Sequence, residues 1–257
     1  MILPLLAAAQ VAAAPLPPPV KPIAPSKIIL VGDSTVAVKG GWGSSFCGEH
    51  VTSFAACLNL ARGGRSSGSY RAEGSWAVAL GEMKVAGYKN IWVLIQFGHN
   101  DQPGKPGRST DLVTEFPANL RRYVAEARAV GAIPILVTPL TRRSFKGGTL
   151  DNDLAPWADA VRRVAKEAGA LLVDLNAESS AAVQAMGEAE ADRLAEIPKD
   201  AAPPAAGSTE VDESPLSAFK PVFDRTHLGR TGADYFATMV TRQLAQAVPE
   251  MRPLLLR

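Results

Sequence analysis

The chain has 257 residues, long enough to bury a substantial core without metal or disulfides, and its composition is neither disordered nor collagen-like. With 27 Lys+Arg against 25 Asp+Glu the net charge is +2. That balance leaves neither the basic stripe expected of a nucleic-acid binder nor the basic face of an anionic-membrane binder. Three histidines (His50, His99, His227) and two cysteines (Cys47, Cys57), with no H-E-x-x-H or C-x-x-C spacing, argue against a dedicated metal site. No cofactor and no nucleic-acid partner are expected.

In chain order, Met1 to Ala14 is apolar, uncharged and too short to span a bilayer. It lacks a basic leader region, but its apolar run and the A-x-A-like sites at Ala7–Ala9 and Ala12–Ala14 favour a secretory signal. Pro15 to Pro25 reads as an extended linker. Residues 1–26 are therefore expected to precede one domain, 27–257, of a secreted or periplasmic protein. Cys47 and Cys57 suit one bridge in an oxidising compartment; two small buried thiols are the alternative.

Ile28 to Val31, Ile91 to Phe97, Ile133 to Val137 and Leu171 to Leu175 are short apolar runs of the kind that form buried parallel strands. Between and after them lie helical patterns over Phe116–Ala129, Leu154–Ala168, Ala177–Ala195 and Ala233–Val248. Cys57 to Gly63 is a doubtful strand. The alternation predicts an α/β parallel sheet with helices on both faces. Glu196 to Val222, rich in Ala, Pro, Ser and acidic residues, is either a wall or lid over a site or a mobile excursion. No run after the N-terminus is long or apolar enough for a membrane helix.

Such sheets bind ligands beyond the carboxyl ends of their strands, so the residues following each strand matter most. The first strand leads into Gly32-Asp33-Ser34-Thr35. A serine hydroxyl there is a nucleophile if a base takes its proton, and a helix N-cap otherwise. The second apolar run leads into Gly98-His99-Asn100-Asp101, where a side-chain amide can donate to a developing oxyanion or simply close a polar turn. Asp224-Arg225-Thr226-His227 precedes the last helix. Three residues apart, a carboxylate can orient an imidazole that serves as general base; the bland reading is a capping Asp and a surface His. Gly64-Arg65-Ser66-Ser67-Gly68 also fits the G-x-S-x-G nucleophile elbow, but lacks the clear preceding strand that elbow requires.

Taken together and in order, Gly32-Asp33-Ser34, Gly64 after Asn59-Leu60-Ala61, Gly98-His99-Asn100-Asp101 and Asp224-Arg225-Thr226-His227 resemble the blocks of the SGNH/GDSL hydrolase superfamily, from about Lys27 to Val248. Gly41-Trp42-Gly43, Gly64 to Ser67 and Thr138 to Phe145 are similar to rhamnogalacturonan acetylesterase-like members. The resemblance implies a three-layer α/β/α flavodoxin-like sandwich. It implies Ser34 as nucleophile, His227 as base and then acid, and Asp224 as the orienting carboxylate. Its oxyanion hole would combine the N–H groups of Ser34 and Gly64 with the Asn100 side chain. It makes Ser66 a bystander and His99 a residue behind the site. Arg65, Arg142 and Arg143 would face an acidic sugar or pair with local carboxylates, and Trp42 would stack on a sugar or belong to the core. Gly68 stands where many relatives carry a larger residue. The function implied is a monomeric serine esterase that deacetylates a plant cell-wall polysaccharide, pectic rhamnogalacturonan first. A lipase-type esterase on other acyl esters and a non-catalytic carbohydrate binder are the alternatives.

Overall fold

A computed structural model describes residues 23–200 and 222–256. Five strands form one parallel sheet: β1 (Ser26–Gly32), β2 (Ala55–Asn59), β3 (Ile91–Gln96), β4 (Ile133–Val137) and β7 (Leu171–Val173). Their spatial order is β2-β1-β3-β4-β7, the flavodoxin-like order in which the chain reverses direction between β1 and β3. A short antiparallel hairpin, β5 (Phe145–Lys146) with β6 (Thr149–Leu150), stands apart.

Burial on both sides explains the continuous apolar runs. Ile28, Leu30, Leu94, Ile135 and Val137 face one core, packed on α1 (Gly43–Glu49), α6 (Leu175–Met186) and α8 (Arg230–Ala247). Ile29, Val31, Val93, Ile95 and Leu136 face the other, packed on α3 (Ser75–Met83), α4 (Glu115–Ala129) and α5 (Ala155–Ala168). The apolar stripes named from the sequence do this packing: Leu120, Tyr123 and Val124 on α4, Val161 and Val164 on α5, Phe236, Val240 and Leu244 on α8. The fold is thus α/β, with helices covering both faces of a parallel sheet.

Several boundaries differ from the sequence reading. The doubtful strand is real but lies earlier: β2 ends at Asn59, and its half-buried edge position leaves little apolar pattern. Short helices α1, α2 (Ser69–Ala72) and α3 go unannounced. The fourth run stops at Val173, because the Asp174 carboxylate caps α6 through the Ala177 N–H. The expected 177–195 helix divides at Gly187 (φ 80°) into α6 and α7 (Glu188–Asp192). Cys47 and Cys57 are joined, with Cα atoms 5.4 Å apart, linking α1 to β2. The expected leader and most of its linker (1–22), and residues 201–221 of the Glu196–Val222 segment, lie outside the described residues. Among those described, no helix is long and apolar enough to cross a membrane.

Candidate active site

Ser34, Asp224 and His227 meet beyond the carboxyl end of β1, where the chain reverses between β1 and β3. Ser34 sits in the turn after β1. Its Oγ lies 2.9 Å from Nε2 of His227, and Nδ1 of His227 lies 2.7 Å from Oδ2 of Asp224. One hydrogen-bonded chain therefore links a hydroxyl, an imidazole and a carboxylate that span 193 positions of sequence.

Asp224 and His227 do not share a helical turn. They lie in an irregular bend before α8, closed by the carboxylate itself: Oδ1 of Asp224 accepts the N–H groups of Thr226 and His227, each at 2.7 Å. Such Asx-type bonding is what Asp offers a turn. Burial pushes the Asp224 pKa up, but the bond from His227, the two N–H donors and the imidazole's charge outweigh it and hold the group down at about 2. The same carboxylate raises the His227 pKa against the opposing effect of burial. Gly40 (φ 78°) packs against the ring edge, where a Cβ would fall 3.3 Å from Cδ2 of His227.

The bend is fastened from below by Arg143, whose side chain is fully buried. Its Nη2 donates to the carbonyls of His227 (2.8 Å) and Asp224 (3.3 Å), its Nη1 to that of Thr226 (3.4 Å), and its own N–H to that of Arg225 (2.9 Å). Every carbonyl of the Asp-Arg-Thr-His segment is thereby satisfied by one residue. Burial lowers the Arg143 pKa to about 10, with Asp224 and Asp192 opposing, so the group stays cationic near neutrality. Arg225 points the other way, gripping Asp192 at 2.8 and 3.0 Å and Glu188 beside it.

The three expected oxyanion donors belong to the segments that follow β1, β2 and β3. Among the described residues, neither the Ser34 N–H nor the Gly64 N–H meets an acceptor within the protein. Gly64 holds a φ of 76°, a conformation that favours glycine. The Asn100 amide spends one hydrogen on the Arg65 carbonyl at 3.1 Å, which fixes the amide and leaves its second hydrogen to point elsewhere. Such preorganised donors suit an oxyanion.

These loops are tied together by buried polar contacts. Asp101 accepts from the Ser67 N–H at 3.0 Å, the Ser67 hydroxyl and the Thr110 hydroxyl at 2.9 Å; burial raises its pKa to about 6 in spite of them. Asp33 accepts from the Thr35 N–H and hydroxyl at 2.9 and 2.8 Å, and its other oxygen lies 3.4 Å from Nδ1 of His99. Burial of Asp33 is outweighed by His99 and Thr35, so its pKa is lowered. Thr35 continues through Gln96 to the Trp42 indole N–H, 3.1 Å from Gln96.

Trp42 is fully buried core, not a sugar platform. Ser66 is fully buried and bonded to Ser69, away from any imidazole, and β2 ends well before it. Arg65 pairs with Glu73 and Arg142 with Asp153, whereas Arg143 takes main-chain carbonyls, a partner the sequence does not announce. His99 is buried beneath the site against Asp33. Among the described residues no cluster of three or more His, Cys, Asp or Glu side chains converges as a metal site requires.

Comparison with known proteins bears on the family and the fold. The family model described as GDSL-like Lipase/Acylhydrolase matches residues 30–204, more than half of the chain. The match ends before Asp224 and His227, which enter the site through the fold. Among curated proteins of Bacillus subtilis (strain 168), the probable rhamnogalacturonan acetylesterase YesY is 36% identical over 168 residues, covering 63% of this chain and 75% of its own. Rhamnogalacturonan acetylesterase RhgT is 35% identical over 178 residues, covering 66% and 73%. Among solved structures, protein YXIM of Bacillus subtilis superposes with a TM-score of 0.66 at 24% identity over 88% of this chain, which spans 58% of that one. Axe2, an acetylxylan esterase from Geobacillus stearothermophilus, superposes with a TM-score of 0.58 at 18% identity, covering 88% of this chain and 95% of that one. At those identities the two structures speak for the fold.

Proposed function

The chain belongs to the GDSL-like lipase/acylhydrolase family and is an ester hydrolase, and from that premise we propose that it is a serine acetylesterase acting on a plant cell-wall polysaccharide, pectic rhamnogalacturonan first. The observation that carries the chemistry is the unbroken chain from Ser34 Oγ through His227 to Asp224. The substrate reading rests on the two curated relatives, both named for rhamnogalacturonan.

In the proposed mechanism His227 Nε2 takes the Ser34 proton as Oγ attacks the acetyl carbonyl. Asp224 holds Nδ1 protonated, so that Nε2 is the basic nitrogen, and stabilises the imidazolium that forms. The carbonyl oxygen becomes an oxyanion facing the Ser34 and Gly64 N–H groups and the free Asn100 hydrogen. Collapse expels the sugar oxygen, which takes its proton from His227 and leaves an acetyl ester on Ser34. A water molecule, deprotonated by His227, then attacks that ester. The second tetrahedral species breaks to acetate and Ser34 Oγ, and His227 returns the proton to the serine. The bond between Cys47 and Cys57 supports an oxidising compartment outside the cytoplasm as the place of action.

Acetate release from acetylated rhamnogalacturonan and acetylated xylan, with Ser34→Ala as the blank, tests this reading. Higher kcat/KM on the pectic polymer is expected. Preference for xylan, or turnover of small generic esters alone, overturns the substrate and leaves the chemistry standing.

A further inference from the structure

Three cations gather at the carboxyl edge of the sheet, and one of them is paired with a carboxylate. Lys105 and Arg108 belong to the turn that follows β3, and Arg142 to the segment that follows β4. Arg142 is paired with Asp153, which also accepts from Gln102 at 3.0 Å. Among the described residues no carboxylate lies within ion-pair distance of Lys105 or Arg108; their heads rest on main-chain carbonyls instead.

Those carbonyls are informative. Lys105 Nζ donates to His99, the residue before Asn100, and Arg108 Nη1 donates to Gly64 at 3.4 Å. Each cation is thus held against the main chain of the segment that presents a proposed oxyanion donor. A carbonyl dipole positions a cation without neutralising it. Nε of Arg108 is buried and has no acceptor at all, a donor left over inside the fold.

Crowding of this kind costs free energy. Lys105 is half-buried, and burial together with Arg142 and Arg108 lowers its pKa despite attraction from Asp33 and Asp153. Exposed lysines and arginines ordinarily spread out, pair or stay solvated. Two part-buried cations with no carboxylate in ion-pair reach are stabilised by an anion supplied from outside. A guanidinium fork beside an ammonium suits a carboxylate well.

We propose that Lys105 and Arg108, held on the segments that carry Asn100 and Gly64, form a carboxylate subsite taking the uronate group of a sugar that neighbours the acetylated residue. This deepens the esterase reading above and rests on it for the placement of the ester.

The test needs no turnover. Trigalacturonate, which carries carboxylates and no ester, is titrated calorimetrically into the full chain, with neutral xylotriose as the comparison. The subsite requires that trigalacturonate bind, that added salt weaken it, and that Lys105→Gln/Arg108→Gln weaken it at least tenfold. If that double variant fails to fold, Lys105→Gln alone carries the test, since its head meets only the His99 carbonyl. Equal binding of the two trisaccharides, or unchanged trigalacturonate affinity in a folded variant, overturns the proposal. Inorganic phosphate competing as well as trigalacturonate, mole for mole, also overturns it, because the site then reads charge and not a sugar acid. If trigalacturonate binding needs Lys105 but no acetyl ester is turned over, the esterase reading fails and the subsite stands. If acetylated polymer is turned over without trigalacturonate binding, only the subsite fails.

Discussion

The guanidinium of Arg143 donates to the main-chain carbonyl of His227 at 2.8 Å, across 84 residues of sequence. With its bonds to Asp224 and Thr226, and that of its own N–H to Arg225, it gives an irregular bend the rigidity of the sheet edge behind it. Removing it takes the side-chain donor from the carbonyls of Asp224 and Thr226, leaves that of His227 only the Glu196 N–H at 3.2 Å, and loosens the imidazole from its line to Ser34. Arg143→Ala is therefore expected to lower kcat by about 10² while KM on a small acetyl ester stays within a few-fold, as for misplacement of a reacting group. Arg143→Lys, which lacks the fork, is expected to recover only part of the loss. Steady-state kinetics beside thermal unfolding reads this out. A defect confined to KM would contradict it.

Asn100 is asked to supply one of three donors to the oxyanion, with its amide fixed by the Arg65 carbonyl. Loss of one such donor costs about 10² to 10³ in kcat. Asn100→Ala is expected to show that loss in single-turnover deacetylation. A change of less than about threefold would remove Asn100 from the hole, on the scale that principle sets.

The pH profile follows from the direction of the His227 shift. The base must be neutral, and Asp224 raises its pKa above the ordinary 6.5. The acid limb of kcat/KM is expected above that value, activity rising with pH through it. Asp224→Asn removes the anion that favours the imidazolium, so the limb moves to lower pH while the plateau falls by up to about 10⁴. Stability changes with the opposite sign of proton uptake at Asp224. Held at about 2, its contribution is complete above about 3.9, the free-Asp value, and is lost as pH falls toward 2. An acid limb that Asp224→Asn leaves in place would contradict the coupling.

The Cys47–Cys57 bond closes a loop with a sequence separation of 10 and fastens α1 to the edge strand β2. Disulfides closing loops of this size typically contribute about 2–4 kcal/mol. Paired Cys47→Ser/Cys57→Ser replacement is expected to lower the unfolding free energy by that order in a urea titration, and to leave acetate release at low temperature in place. Identical midpoints with and without the bond would contradict this.

How far the sequence discloses the molecule depends on the kind of interaction. Ile28–Val31 and Ile91–Phe97 announce themselves because burial on both faces demands an unbroken apolar run. The Ser34 and Asn100 segments stand out because they follow apolar strand runs, and Asp224–His227 because a carboxylate and an imidazole stand three apart just before the last helix. β2 escapes because Ala55-Ala56-Cys57-Leu58-Asn59 lies half-buried at the sheet edge and carries no alternation. Helices α1 and α2 are too short for a periodic stripe, and neither has a side-chain cap to mark its start. Arg143 escapes for another reason: its partners are carbonyls, which every residue owns, so no spacing identifies them. Ser66 shows the reverse error. Its G-x-S-x-G surroundings fit an elbow, yet the strand needed before it ends at Asn59 and its hydroxyl is buried on Ser69.

The central claim is that Ser34 is the nucleophile. Treatment with a serine-directed fluorophosphonate, followed by peptide mapping of the adduct, addresses it directly. The account predicts one adduct, on the peptide carrying Ser34, absent from His227→Ala and formed in step with loss of acetate release. An adduct on the peptide carrying Ser66, or complete labelling of Ser34 with esterase activity retained, would contradict it.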